Sequence, residues 1–111
     1  MDVQHDIFHE LDSQQASNVA RKAVDAYRER FAKYNFQSRW TGDQTAILSF
    51  EVMGKRLEGS MSVLSDRLRF ELEVPLMFKV FSSQAIAIVD REAQVWIQKA
   101  KAGELNDGGQ A

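Results

Sequence analysis

The sequence predicts an α+β fold: a two-layer sandwich in which two helices cover one face of an antiparallel β-meander, in the order β-α-β-β-β-β-α. Three observations carry that expectation. Residues 36–74 alternate apolar and polar side chains with period two, broken by short turns. The runs before and after them repeat apolar residues every three or four positions, which is the helical period. A sheet with one apolar face needs a cover, and two amphipathic helices can supply it.

The elements follow in order. Val3, Ile7 and Leu11 share one face at period two with His5 and His9, while Asp6 and Glu10 point the other way, so residues 3–11 read as a short first strand. Asp12 with Gln15 three positions later is a capping-box-like helix start. Ala16, Val19, Ala20, Ala23, Val24, Tyr27, Phe31 and Tyr34 then form an apolar stripe opposite Arg21, Lys22, Asp25, Arg28, Glu29 and Lys33. Asn35, which tolerates the left-handed conformation, is a plausible stop. Phe36, Ser38 and Trp40 begin the alternation, and Thr41-Gly42-Asp43 turns the chain. Ala46, Leu48, Phe50 and Val52 form the next inward set, before the turn Met53-Gly54-Lys55. Leu57, Gly59, Met61 and Val63 follow, then the turn Ser65-Asp66, then Leu68, Phe70, Leu72 and Val74. Turns this short make successive strands antiparallel neighbours. Pro75 ends the meander, because it cannot donate to a ladder. Ser82 or Ser83 can cap the second helix, whose apolar set is Ile86, Val89, Ala93, Trp96, Ile97 and Ala100. Lys99, Lys101 and Gly103 form a C-terminal signature. One domain over residues 3–102 and a disordered tail over 103–111 are expected. The pattern leaves open whether the first strand pairs at an edge or in the middle of the sheet.

With 111 residues, 44% hydrophobic and 27% charged, the chain has the composition of one ordinary globular domain. A net charge of −2 argues against a general nucleic-acid binder, which carries a basic excess on one face. The absence of cysteine removes disulfides, thiolate metal sites and cysteine nucleophiles. MDVQHDIFHELD does not read as a secretory signal, and no stretch approaches the roughly 20 apolar residues of a membrane span. A soluble, cytoplasmic protein is the expectation.

Candidate chemistry is sparse. His5 and His9 share a strand face near Glu10, but a metal site needs a third ligand and the chain has no further histidine. Two partly exposed histidines near the sheet edge are the simpler expectation. Glu71 and Glu73 alternate with Arg67 and Arg69 and, with Arg39, Glu51, Arg56 and Glu58, are expected to form cross-strand ion pairs on a solvated face. No Gly-x-Ser-x-Gly elbow and no phosphate loop occurs. Gly59 at an inward position is expected to leave room for Trp40 or a helix. Phe36, Trp40, Phe50, Met61 and Phe70 fall on the inner face, where they are either core or the lining of a ligand cavity. The segment 75–81 is the most unusual: Leu76, Met77, Phe78, Val80 and Phe81 are interrupted only by Lys79, between elements where polar residues belong. Either the segment folds back to plug the core, or part of it stays exposed as an association patch.

Arg39-Trp40-Thr41-Gly42-Asp43, then Phe50, Gly54 and Gly59, together with the order of elements, resemble the small bacterial polyhydroxyalkanoic acid system proteins, also called granule-region proteins. The resemblance covers most of residues 3–102. It implies an accessory role beside polyhydroxyalkanoate synthesis and brings no catalytic residues, cofactor or metal. One departure from the pattern is that the segment after the last strand is usually glycine-containing, whereas here it reads Pro75-Leu76-Met77-Phe78. The functional expectation is a non-enzymatic accessory protein that binds a hydrophobic surface or protein partner, such as the polyhydroxyalkanoate granule, through residues 76–81. The alternatives are a carrier of a small hydrophobic or acyl ligand between sheet and helices, and a homodimer joined by the same patch.

Overall fold

The structure is a computed structural model that describes residues 2–103. The tail expected to be disordered lies, beyond Gly103, outside the described residues. The chain opens with β1 (Asp2–Phe8) and enters α1 (Ser13–Arg30) through the predicted cap, where the Asp12 carboxylate accepts the Gln15 backbone N–H at 2.8 Å. One stripe of α1 is buried, Ala16, Val19, Ala20, Ala23, Val24 and Tyr27, at spacings of three and four. The periodicity predicts helix as far as Tyr34, but Phe31 leaves the α conformation and Ala32–Tyr34 form a tighter 3-10 turn. Asn35 then takes the left-handed conformation, with φ 50°, and stops the helix as its residue type predicts.

Four strands follow: β2 (Gln37–Trp40), β3 (Thr45–Val52), β4 (Lys55–Val63) and β5 (Arg67–Glu73). They form the meander, and α2 (Lys79–Lys101) closes the chain. The sheet order is β1-β5-β4-β3-β2, with every neighbouring pair antiparallel. The first strand therefore pairs at an edge, beside the last. The length of α1 accounts for this placement: 18 residues span about 27 Å, enough to cross the roughly 19 Å of five strands and deliver the chain to the far edge.

Both helices lie on the apolar face. They pack on each other and are tied by the Tyr27 hydroxyl, which donates to the Val89 carbonyl at 3.0 Å, and by Arg30 to Glu92 at 2.6 Å. Burial pushes the Tyr27 phenol well above its ordinary range, with the charges of Glu92 and Asp90 acting in the same direction, so the hydroxyl stays a donor.

Two further details differ from expectation. Helix α2 begins at Lys79 rather than at a Ser82 or Ser83 cap. A 3-10 turn at Leu76–Phe78 runs straight into it, and the Ser82 hydroxyl, buried one turn inside, donates back to the Lys79 carbonyl at 2.8 Å. The atoms nearest to a side chain at Gly59 belong to β5 rather than to Trp40 or a helix. A methyl group there would run into the carbonyl oxygen of Glu71 and approach the Leu72 Cα to 3.2 Å, so the glycine permits close approach of β5. Gly59→Ala should lower the urea midpoint by the equivalent of about 1–3 kcal/mol, because backbone rather than a flexible side chain must yield. An unchanged midpoint would show that β5 shifts freely.

Candidate association face

The segment after β5 divides into two faces. The Phe78 N–H bonds the Pro75 carbonyl at 2.9 Å, closing the 3-10 turn, and α2 continues from it. Residues three apart in such a turn stack on one side. Phe78 and Phe81 thus both turn into the core, where Phe81 meets Tyr34 at a ring distance of 5.0 Å and Phe50 at 5.7 Å. Leu76, Met77 and Val80 take the opposite side and are 71%, 74% and 71% exposed. Of the five residues considered as an association patch, two anchor the segment and three stand in solvent. The segment thus both folds into the core and leaves apolar side chains exposed.

Of the five inner-face residues considered as a cavity lining, four lie in the core and Trp40 packs half-buried against it. Phe50, Met61 and Phe70 are fully buried and Phe36 nearly so. Phe36 and Phe50 pack edge-on at 5.1 Å, and half-buried Trp40 carries the Arg21 guanidinium 4.3 Å from its ring centroid. The surface clefts lie elsewhere. One, between Arg56, Leu57 and Glu58 on β4 and Glu73, Val74 and Pro75 at the end of β5, borders the exposed segment.

The histidines separate. His9 is not partly exposed, as expected, but fully buried. The chain bends at Glu10, with φ 57°, and folds the ring under the loop between β4 and β5. Its Nδ1 accepts the Leu11 N–H at 2.9 Å and its Nε2 donates to the Leu64 carbonyl at 3.1 Å, while its backbone N–H bonds the Asp66 carbonyl at 3.1 Å. Both ring nitrogens are thereby occupied with the protein. His5 is half-exposed and its Nε2–H donates to Asp90 of α2 at 2.6 Å, a strap from the edge strand to the helix. Among the described residues no group of three or more metal-ligating side chains is placed to hold an ion.

The outer face does hold ion pairs, with partners different from those expected. Because β1 lies beside β5, Asp6 stands directly opposite Arg69. Arg69 reaches it at 2.8 Å and Arg67 at 3.0 Å, and Arg67 also holds Asp66 at 2.8 Å. Glu71 and Glu73 make no ion pair among the described residues, and Arg56 pairs with Glu58 on its own strand at 3.2 Å. Hydrogen bonding from Arg69 holds the Asp6 carboxyl at about 2, against an ordinary 3.8; partial desolvation opposes the shift, and the Arg67 hydrogen bond and both guanidinium charges reinforce it.

One exposed residue escapes sequence reasoning. Met53, in the turn between β3 and β4, is 85% exposed with φ 52°, and Gly54 follows with φ 78°. From sequence it reads only as part of a turn. The signal that could have singled it out is methionine at a left-handed position where hairpin chemistry favours Asn or Asp.

Known proteins bear on this geometry as follows. The profile of a family described as "Putative polyhydroxyalkanoic acid system protein" matches residues 3–96. The chain belongs to this family. The description of these polyhydroxyalkanoic acid system proteins names no reaction. No curated protein matches the chain. Among solved structures it is similar to that of TTHA0849 from Thermus thermophilus, at 8% identity over 96% of this chain and 100% of that one. The TM-score of 0.36 is too low for the likeness to bear on function.

The Asp6 pairing predicts an acid signature. A carboxyl that binds its proton less tightly in the folded than in the unfolded chain stabilises the fold fully above about pH 4 and loses that contribution as pH falls through about 2. Urea unfolding of wild type and Asp6→Asn should therefore show wild type more stable near neutrality, with the gap closing between about pH 4 and pH 2. A gap that stays constant across that window would contradict the pairing.

Proposed function

We propose that this member of the polyhydroxyalkanoic acid system family is a non-enzymatic accessory protein that associates with the polyhydroxyalkanoate granule surface, or with a protein upon it, through Leu76, Met77 and Val80. One observation carries the reading: these three apolar side chains face solvent on a segment fixed from beneath by buried Phe78 and Phe81. A leucine, a methionine and a valine side by side in water gain by being covered, each by up to about 1.5–3 kcal/mol when fully buried. The anchors matter equally, because they order the segment before anything binds and so reduce the entropy cost of association. The family supplies the system in which such a surface would be met.

The proposal requires no cofactor, metal or catalytic group, and has the protein act in the cytoplasm. Among the described residues no helix is long and apolar enough to cross a membrane. The carrier reading finds no support in the packed aromatic interior, and a second copy of the chain is an alternative occupant of the same face.

Co-sedimentation with isolated polyhydroxyalkanoate granules tests the reading. Wild type should pellet with granules, and Leu76→Glu/Met77→Glu should remain in the supernatant with an unchanged far-UV spectrum. Equal pelleting of both forms would remove the segment from the mechanism. Pelleting of neither, with concentration-dependent light scattering by wild type only, would assign the face to self-association instead.

A further inference from the structure

Four of the large apolar side chains exposed among the described residues gather at one end of the molecule. Glu58 pairs with Glu73 across β4 and β5, and the cleft beyond that pair is shared by Arg56 and Pro75. One step further along each chain lie Lys55, at the hairpin tip, and Leu76. Met53 and Gly54 thus project from the sheet end at which Leu76, Met77 and Val80 are displayed. The 3-10 turn carrying Lys33 joins the same end, because Tyr34 stacks on Phe81 at 5.0 Å and the turn packs on β3.

The charges at this end are arranged around the apolar tips. Lys33, Lys55 and Lys79 are exposed and make no ion pair among the described residues. The neighbouring carboxylates Glu51, Glu58 and Glu73 alternate with buried strand residues and so point to the outer sheet face, where Glu58 is engaged by Arg56. An object approaching along the strand ends therefore meets apolar tips together with three exposed lysines.

Met53 argues that this end is shaped by something other than folding. Two consecutive residues with positive φ make the type I′ hairpin turn, for which Asn-Gly or Asp-Gly is preferred. A methionine there adopts a conformation costly for its residue type and exposes a large apolar side chain. Neither helps the fold.

We infer that the hairpin tip and the segment 76–80 together form a face for an anionic phospholipid surface, with Met53, Leu76, Met77 and Val80 entering the headgroup boundary and Lys33, Lys55 and Lys79 pairing with lipid phosphates. The inference rests on the association reading above and names the chemistry of the surface. Apolar insertion combined with basic flanks is how peripheral proteins hold anionic interfaces, neither contribution sufficing alone. A bare polymer or an apolar protein groove would leave the lysines without a counterpart.

Flotation with vesicles of equal parts phosphatidylglycerol and phosphatidylcholine, beside vesicles of phosphatidylcholine alone, tests it. Wild type should bind the anionic vesicles, bind the zwitterionic ones far more weakly, and release as salt rises from about 0.05 to 0.5 M. Lys55→Ala and Lys79→Ala should each weaken binding about fivefold. Met53→Asp should weaken it roughly tenfold or more while leaving the urea midpoint unchanged or higher, since Asp-Gly suits the turn better. Equal binding to both vesicle types, or full binding by Met53→Asp, would overturn the inference. Granule co-sedimentation run in parallel separates the two readings. If granules are bound through Leu76 and Met77 while anionic vesicles are ignored, association stands and the lipid assignment falls.

Discussion

The ring of Phe50 touches aromatic partners from three other parts of the chain: Phe31 at the end of α1 at 5.0 Å, Phe36 before β2 at 5.1 Å and Phe81 in α2 at 5.7 Å. All three contacts are edge-to-face, the arrangement that favours aromatic pairs by about 0.5–1.5 kcal/mol each beyond the area they bury. This cluster is the constraint from which the rest of that end follows. Fixing Phe81 inward fixes the rotation of the first turn of α2. That rotation places Val80 outward and, through the preceding 3-10 turn, Leu76 and Met77 with it. The outward position of these three side chains is thus set by core packing, while their apolar character is not.

The opposite end is organised by polar contacts. His9 binds the turn between β1 and α1 to the loop between β4 and β5 through its Nε2 and its backbone N–H, while its Nδ1 holds Leu11 within the turn. Asp6 draws two arginines of β5 toward β1 across the outer face. Both arrangements secure the edge strand whose pairing closes the sheet. The molecule therefore spends its histidines and its best ion pairs on structure, which leaves the apolar end as the feature that folding does not require.

Much of the fold was legible because period two and period 3.6 are local signals, and each inward set from Ala46 to Val74 and from Ala16 to Tyr27 is buried as its spacing predicts, apart from half-buried Gly59. The helix stop at Asn35 and the cap at Asp12 were readable for the same reason. Strand order was not, since it depends on where α1 delivers the chain, and with it went the partners of Arg67 and Arg69. The run from Leu76 to Phe81 carries no period at all, because a 3-10 turn and a helix meet within it, so only the structure could divide it into anchors and exposed residues. The inward position of Gly59 was legible, but the approach of the Glu71 carbonyl that requires it was not.

The central claim is that one end of a closed fold serves as a contact surface. Hydrogen–deuterium exchange of the whole protein, with and without bound granules, addresses it most directly. The account predicts added protection confined to the turn at Met53 and Gly54 and to residues 75–81, with the strands of the outer sheet face unchanged. Protection spread over that outer face, or absent from 75–81 while the protein is bound, would contradict it.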